Sequence, residues 1–133
     1  MSAAEIAARA TNDAIRDWDL VTGAVLWNAA LTTAYGWAPS EVVPTSAWWL
    51  AQIHPHDRPG VAAGLQATLA GGVEAWSQEY RFRRADGTYA EVLDRGSLVR
   101  GADGAPLRMI AAMLDLTERN RVGAQFLGLR EQP

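Results

Sequence analysis

The sequence predicts an α+β domain in which short helices pack on one face of a five-stranded antiparallel sheet. Two observations lead to this prediction. Runs with the alternation of strands lie at both ends of the chain, and the stretch between them has a helical spacing that prolines and glycines repeatedly interrupt. The 133 residues, of which 49% are apolar and 20% charged, suit a single globular domain with one core.

The first elements in the chain are a capped helix and a β-hairpin. Ser2 and Glu5 have the spacing of a capping box, which predicts a short helix over residues 3–12. Strand-like runs follow at residues 14–20 and 24–28. The few residues between them include a glycine that suits a tight reversal, so the two runs are expected to pair.

The central stretch, residues 29–70, is expected to form several short helices because prolines and a glycine divide it. Thr45 is the expected N-cap of one helix, and Asp57 is the expected N-cap of a longer helix that runs to about Ala70. Gly71 then ends that helix.

The last third of the chain predicts a three-stranded meander. In residues 76–84 the even positions are mostly aromatic and the odd ones polar or charged, which is typical of a strand with one buried face. Further strands are expected at residues 88–100 and 107–114, each preceded by a glycine-containing turn. Thr117 is the expected cap of a final helix.

Several short sequence words support a more specific interpretation. They are WDLVTG (residues 18–23), VLWNAALTTAYGW (25–37), IHPHDR (53–58), EYRFRRADG (79–87) and LDLTER (114–119). In this order and at this length, the chain resembles a PAS domain of the sensory-box type across nearly its whole length. The resemblance implies a sensory and dimerisation module of a bacterial signalling protein, placed before an output domain such as a histidine kinase, with a central cavity able to hold a ligand.

The resemblance also implies a division of the chain. Residues 1–13 correspond to an N-terminal capping helix, residues 14–116 to the PAS core, and residues 117–133 to a C-terminal linker or signalling helix. Fold alone does not identify a ligand, so the cofactor is left open.

The absence of cysteine excludes disulfides, thiolate nucleophiles and cysteine zinc sites. Joined to the resemblance, it also excludes the branches of the family that use a thiol-linked flavin or coumarate. Met113 stands where flavin-binding relatives often present a glutamine, and a thioether is a poor hydrogen-bonding partner for a flavin edge.

Charge and hydropathy exclude two further partner classes. All twelve basic residues are arginines, but the net charge is −3, so no nucleic-acid role is expected. The chain lacks the roughly 20 uninterrupted apolar residues of a membrane helix, so no membrane insertion is expected. It also shows no secretory signal, which makes the cytoplasm the expected location.

His54 and His56 are the only histidines, and with Asp57 they invite a metal or haem interpretation. The resemblance places them at the entrance to the long helix, where polar side chains anchor the loop. A zinc site would also need further ligands that no sequence cluster supplies. We therefore expect loop anchoring, with haem less favoured and no metal site.

Asp94 is the most informative single residue. It interrupts an otherwise small or apolar phase of its strand, which the resemblance orients toward the cavity. Because an unpaired buried carboxylate is costly, we expect it to pair with an arginine or a tryptophan N–H, or to meet a polar group of a ligand. A third interpretation makes Asp94 the general base of an isomerase-like enzyme, but no second acid or base group is evident beside it.

Strand phases and the apolar stripe of the long helix predict the residues that line a ligand pocket. These candidates are Leu31, Trp49, Ile53, Val61, Leu65, Tyr80, Phe82, Val92, Asp94, Met109 and Met113. The chain contains six tryptophans against two phenylalanines, and their spread over strands and helices indicates that most of them fill the core.

Two surfaces have expected partners. Arg81 and Arg83 lie on the outward phase of their strand, where cross-strand pairing with Glu79 and Glu91 is expected. The terminal helices carry apolar residues that a second copy of the chain would cover, which predicts a homodimer. Those residues are Ile6, Val122, Phe126 and Leu129.

The alternative function is a dimerisation scaffold that binds no ligand, which would show a filled core.

Overall fold

A computed structural model describes residues 12–123 of the chain. It contains five strands, which are β1 (Ala14–Asp19), β2 (Val25–Trp27), β3 (Ala75–Arg83), β4 (Tyr89–Arg100) and β5 (Pro106–Asp115). They form a single sheet in the order β2-β1-β5-β4-β3, and each neighbouring pair is antiparallel. The expected α+β architecture is therefore confirmed. The predicted helix over residues 3–12 lies outside the described residues.

The reversal between β1 and β2 is built by a single side chain. One oxygen of Asp19 accepts hydrogen bonds from the backbone N–H groups of Val21 and Thr22, at 2.9 and 3.1 Å. Gly23 follows with φ +82°, a conformation that L side chains rarely adopt. These bonds, that of Thr22 foremost, lower the pKa of Asp19 below its ordinary value.

One face of the sheet, which we call the inner face, is covered by helices. Trp76, Tyr80 and Phe82 of β3 are buried on this face, as the alternating sequence predicts. The helices are α1 (Ala30–Thr33), a 3-10 helix (Pro39–Glu41), α2 (Ser46–Gln52) and α3 (Arg58–Ala70).

Thr45 caps α2 as the sequence predicts, because its hydroxyl accepts a hydrogen bond from the backbone N–H of Trp48 at 3.3 Å. The C-terminus of α3 is held by a side chain that the sequence did not indicate. Arg100 of β4 donates from Nη2 to the carbonyls of Thr68, Leu69 and Gly71, at 3.0, 3.1 and 2.6 Å. A guanidinium there also offsets the negative end of the helix dipole.

The prediction that the Asp57 side chain caps the long helix is wrong. Asp57 stands at the N-cap position of α3, but its side chain makes no capping bond. The carboxylate instead binds Arg81, accepting from the backbone N–H, Nε and Nη2, each at 2.9 Å. This strong, forked interaction outcompetes a single amide bond. Arg81 therefore pairs with Asp57 across the sheet edge and not with the glutamates expected from strand register.

The expected role of Thr117 is also wrong. The final described helix, α4 (residues 117–123), includes Thr117 in its first turn. The Thr117 hydroxyl accepts from the backbone N–H of Glu91 at 2.8 Å and so ties α4 to β4. Asp115 supplies the oxygen that accepts from the Thr117 backbone N–H, at 2.9 Å. The capping residue is therefore displaced by two positions.

Aromatic rings fill much of the core between the inner face and the helices. Trp37 and Trp48 meet edge to face with ring centroids 5.2 Å apart, and Tyr35 and Phe82 do so at 5.6 Å. Trp48 also contacts Phe82, at 6.4 Å. The tryptophan excess is thus largely core, as expected from its spread along the sequence.

Within the part of the chain that the structure describes, no helix is long and apolar enough to cross a membrane.

Candidate functional site

The apolar core contains a buried ion pair between the first and fourth strands. Arg16 belongs to the inner phase of β1, and Asp94 belongs to the inner phase of β4. Their side chains are 1% and 0% exposed, and Arg16 Nη2 lies 3.1 Å from Asp94 Oδ2. The strand alternation that places Ala14 and Val92 in the core therefore also places two charges there.

Two aromatic residues extend this pair into a network. The hydroxyl of Tyr80 donates to Asp94 Oδ2 at 2.7 Å, and Trp49 Nε1 donates to the Tyr80 hydroxyl at 3.0 Å. Both rings are buried. Because the Tyr80 hydroxyl donates to one partner and accepts from the other, its orientation is fixed.

The Arg16 guanidinium also stacks on indole rings. Its central carbon lies 4.1 Å from the ring centroid of Trp49 and 5.9 Å from that of Trp27. A cation over the face of an indole is attracted by the ring quadrupole, and more strongly where water is excluded. Trp49 therefore supports both ends of the ion pair, Arg16 by its ring face and Asp94 through Tyr80.

The network is incompletely satisfied. Arg16 Nη1 and Asp94 Oδ1 are buried and have no hydrogen-bond partner among the described residues. The indole nitrogens of Trp27 and Trp76 are also buried without a partner among the described residues. Register places Trp76 in the same cross-sheet row as Arg16, with β5 and β4 between their strands. A buried polar atom without a partner costs about 1–3 kcal/mol, so such a group in the core calls for an explanation.

Burial sets the protonation of the tyrosines at the site. Burial, and after it the charge of Asp94, raise the pKa of Tyr80 well above its ordinary value. Burial likewise raises the pKa of Tyr35, whose hydroxyl lies 3.5 Å from the Met113 carbonyl oxygen. Tyr80 is therefore a neutral phenol throughout the physiological range and remains a hydrogen-bond donor to Asp94.

Every residue predicted to line a pocket is buried between the sheet and the helices. These residues are Leu31, Trp49, Ile53, Val61, Leu65, Tyr80, Phe82, Val92, Asp94, Met109 and Met113. Three of them form a hydrogen-bonded chain that runs from Trp49 through Tyr80 to Asp94. The remaining eight belong to the apolar core. That they line a ligand site stays a prediction.

Leu31 also faces a separate groove of about 330 Å³ between β2, α1 and the 3-10 helix. Trp27 and Trp37 form its aromatic walls, and Val42 lies at its rim. Trp27 therefore belongs both to the lining of this groove and to the surroundings of the Arg16 guanidinium.

Arg16 is the site residue that the sequence did not single out. An arginine was one of the partners predicted for Asp94, but the sequence did not indicate which arginine. The available signal was the phase of β1, since Arg16 shares it with Ala14, two residues before, and with Trp18, two residues after. A charged residue in that phase is as informative as the carboxylate in β4.

The histidine loop has the anchoring geometry expected of it. His54 Nδ1 accepts from the backbone N–H of His56 at 3.1 Å, and the His54 ring lies 4.8 Å from the Tyr89 ring. Burial and the charge of Arg81 lower the pKa of His54, which favours the neutral, accepting imidazole. Among residues 12–123, no three histidine or carboxylate side chains are grouped to hold a metal ion.

Comparison with known proteins identifies relatives of this fold. A family model described as the PAS fold matches residues 24–113. No curated protein sequence matches the chain. Solved structures do. A sensory box histidine kinase/response regulator from Burkholderia thailandensis E264 has a TM-score of 0.79 and 27% identity, with 98% of this chain and 96% of that chain covered.

Two further structures share the fold at lower identity. One is the N-terminal domain of a diguanylate cyclase with a PAS/PAC sensor from Marinobacter aquaeolei, with a TM-score of 0.73, 21% identity, and 81% of this chain and 98% of that chain covered. The other is a domain of a putative light and redox sensing histidine kinase from Haloarcula marismortui, with a TM-score of 0.68, 22% identity, and coverages of 86% and 97%.

Proposed function

Because the chain belongs to the PAS fold family, with two thirds of its length matched by the family model, we propose that it is a signal-input module. It binds a small molecule within its core and passes the bound state to an output domain. Structural neighbours include proteins named as a histidine kinase and a diguanylate cyclase, so the output domain is expected to be of that kind. The module performs no chemistry of its own.

The observation that carries the proposal is the incompletely satisfied ion pair. Arg16 Nη1 and Asp94 Oδ1 lie in an otherwise apolar core, each buried and each without a partner in the described chain. Ligand sites are typically apolar enclosures with a few converging polar groups that set orientation. A ligand that supplies these hydrogen bonds would gain affinity from groups that the protein's own side chains leave unsatisfied.

A catalytic role for Asp94 has less support. A general base usually works beside a second group that returns the proton. Asp94 Oδ2 already accepts from Arg16 and Tyr80, and burial holds Tyr80 in its protonated form. The site therefore favours binding over proton transfer.

We also propose that the module acts as a homodimer through its terminal helices. Val122 in α4 is 53% exposed, although it belongs to the apolar stripe identified in the sequence. The other members of this surface, Ile6, Phe126 and Leu129, lie outside the described residues. Covering such a stripe with a second copy would remove apolar side chains from water.

A visible absorption spectrum and native mass spectrometry of freshly purified protein test the proposal. We expect a colourless extra mass bound to the protein. Colour would redirect the assignment to haem or a non-covalent flavin. A protein with neither colour nor added mass, and with no partner-dependent signal, would overturn ligand sensing in favour of the ligand-free scaffold, for which the packed aromatic core is the supporting observation.

Light scattering tests the dimer separately. A mass of twice the chain across micromolar concentrations is expected, and Val122→Glu should shift that mass toward the monomer. A monomer at every concentration tested would overturn the proposed dimer while leaving ligand binding intact.

A further inference from the structure

The buried ion pair uses one of the two hydrogen bonds that a guanidinium and a carboxylate can share. Arg16 and Asp94 meet through Nη2 and Oδ2 alone. In a forked pair the second nitrogen and the second oxygen would also bond to each other. Here Nη1 and Oδ1 are both left over, so the pair presents one unused donor group and one unused acceptor on adjoining side chains.

The charge of the pair limits what can occupy this position. Arg16 and Asp94 neutralise each other, and both are at least 99% buried. An ionised ligand would add a net charge to the core, and burying an uncompensated charge costs far more than a hydrogen bond returns. The ligand is therefore neutral.

The unused atoms also define the ligand's polar groups. Nη1 can only donate, so it needs an acceptor. An ionised carboxylate oxygen can only accept, so Oδ1 needs a donor. Primary and secondary amides, lactams and ureas carry an acceptor oxygen and a donor N–H on one rigid planar group.

The surroundings favour a planar body attached to that group. The guanidinium that bears Nη1 contacts the ring faces of Trp49 and Trp27. A ligand bonded to Nη1 lies beside these rings, where flat aromatic groups pack with favourable geometry. The indole N–H of Trp27 is buried and without a partner, so it is a second donor available to an acceptor on the same ligand.

We infer that Arg16 and Asp94 together form the recognition element for a neutral, planar molecule bearing a carboxamide, lactam or urea group. The ligand oxygen accepts from Arg16 Nη1, and the ligand N–H donates to Asp94 Oδ1. This inference rests on the proposed ligand-sensing function and specifies the chemistry of its ligand.

Benzamide and benzoate are matched probes for this assignment, because they have the same shape and differ in charge and in the donor. The indole N–H resonances of the tryptophans, assigned by single Trp→Phe substitutions, report binding at the site. Benzamide is expected to shift the Trp49 and Trp27 resonances saturably. Benzoate is expected to bind at least about tenfold more weakly, because it lacks the donor and carries a charge.

The decisive variant is the double substitution Arg16→Met with Asp94→Leu. It removes both polar groups at similar volume and leaves no unpaired charge, so the protein should fold. Benzamide affinity should fall at least about tenfold in this variant. Asp17→Asn is the matched control, because it breaks the ion pair of Asp17 with Arg108 on the other face of the sheet, between β1 and β5, and should leave affinity unchanged.

Four results would overturn the assignment. Equal binding of benzamide and benzoate would show that neither the charge of the ligand nor its N–H donor governs binding. Unchanged benzamide binding in the double variant would show that the probe binds away from Arg16 and Asp94. If millimolar benzamide causes no saturable shift of the indole N–H resonances, the position beside the ion pair accepts nothing larger than water. A copurified natural ligand that persists in the double variant would sink this assignment while leaving the signal-input proposal standing.

Discussion

Arg16 and Asp94 are 78 positions apart in the sequence, and their side chains form a buried ion pair with a 3.1 Å contact inside an apolar core. The pair joins β1 to β4, two strands that are separated in the sheet by β5. Ala111 of β5 lies opposite Arg16, and its small side chain leaves room for the guanidinium to reach across. The sheet thus carries a polar link between strands that exchange no backbone hydrogen bonds.

Removing one member of this pair should be far more harmful than removing both. Arg16→Met leaves the Asp94 carboxylate buried with only Tyr80 as a partner, so we expect a loss of about 3–5 kcal/mol in the free energy of unfolding. Adding Asp94→Leu should recover most of that loss, because no uncompensated charge remains. Urea denaturation of the two variants measures this. A double variant no more stable than the single one would contradict the explanation.

The Tyr80 hydroxyl should contribute measurably to stability. Tyr80→Phe removes the donor to Asp94 Oδ2 and the acceptor for Trp49 Nε1, which leaves an indole N–H without its partner. We expect the free energy of unfolding to fall by about 1–3 kcal/mol.

Tyr89→Phe is the control for this change. The Tyr89 side chain contacts His54 through its ring, and its hydroxyl makes no hydrogen bond among residues 12–123. Its removal should alter stability by less than about 0.5 kcal/mol. Equal losses in the two variants, measured by thermal and urea unfolding, would show that ring packing and not the hydroxyl matters at Tyr80.

The ion pair between Asp57 and Arg81 predicts a pH-dependent contribution to stability. The hydrogen bonds from Arg81 lower the pKa of Asp57 below its ordinary value of 3.8. The folded protein therefore favours the ionised form, and the stabilisation is present above that value and lost as the pH falls through the lower folded-state pKa. The side chains are 26% and 40% exposed, so we expect only about 1 kcal/mol.

Asp57→Asn tests this contribution, because the amide oxygen can still accept from the Arg81 backbone N–H. Wild type and variant should differ at pH 7 and converge below pH 4, as followed by urea unfolding across that range. Glu74→Gln, at an exposed position, is the control and should show no such convergence. A constant difference between wild type and Asp57→Asn down to pH 2 would contradict the charge-based account.

Two glycines should respond to alanine in opposite directions. A Cβ at Gly60 in α3 would have nothing within 4 Å, so Gly60→Ala should stabilise the protein by about 0.5 kcal/mol through helix propensity. A Cβ at Gly96 in β4 would lie 2.2 Å from the carbonyl oxygen of Ile110, so Gly96→Ala should destabilise it by about 2 kcal/mol. Thermal unfolding distinguishes them, and a stabilising Gly96→Ala would contradict the packing described for β4 and β5.

Sequence periodicity was sufficient to predict most of the fold. The alternation in residues 76–84 identified β3 and its buried face, and Thr45 marked the start of α2. These features depend on neighbours in the chain, because local capping and a period of two residues need no knowledge of distant contacts.

Two predicted capping roles were replaced by long-range contacts. Asp57 was expected to cap its own helix, but Arg81 offers three donors to it from 24 positions away. The Thr117 hydroxyl likewise accepts a hydrogen bond from the backbone N–H of Glu91 instead of capping its own helix. A polar side chain near a helix start has several competing partners, and the fold decides which of them is within reach.

Of the two residues in the buried ion pair, only Asp94 was predicted from the sequence. Asp94 was recognisable because it interrupts an apolar phase. Arg16 interrupts the phase of β1 in the same way, but we did not single it out from the sequence. Asp94 Oδ1 and Arg16 Nη1 are the two atoms of the pair left without partners among the described residues. The sequence cannot reveal this, because it depends on the two side chains meeting through only one hydrogen bond.

Whether Arg16 and Asp94 recognise the signal is decided by native mass spectrometry of freshly purified wild type beside the Arg16→Met, Asp94→Leu double variant. The wild type should carry a neutral small molecule that is released on denaturation and contains an amide, lactam or urea group. The double variant, shown to be folded by circular dichroism, should carry none. The same added mass on both proteins, or none on either, would contradict the assignment of this buried pair as the element that recognises the signal.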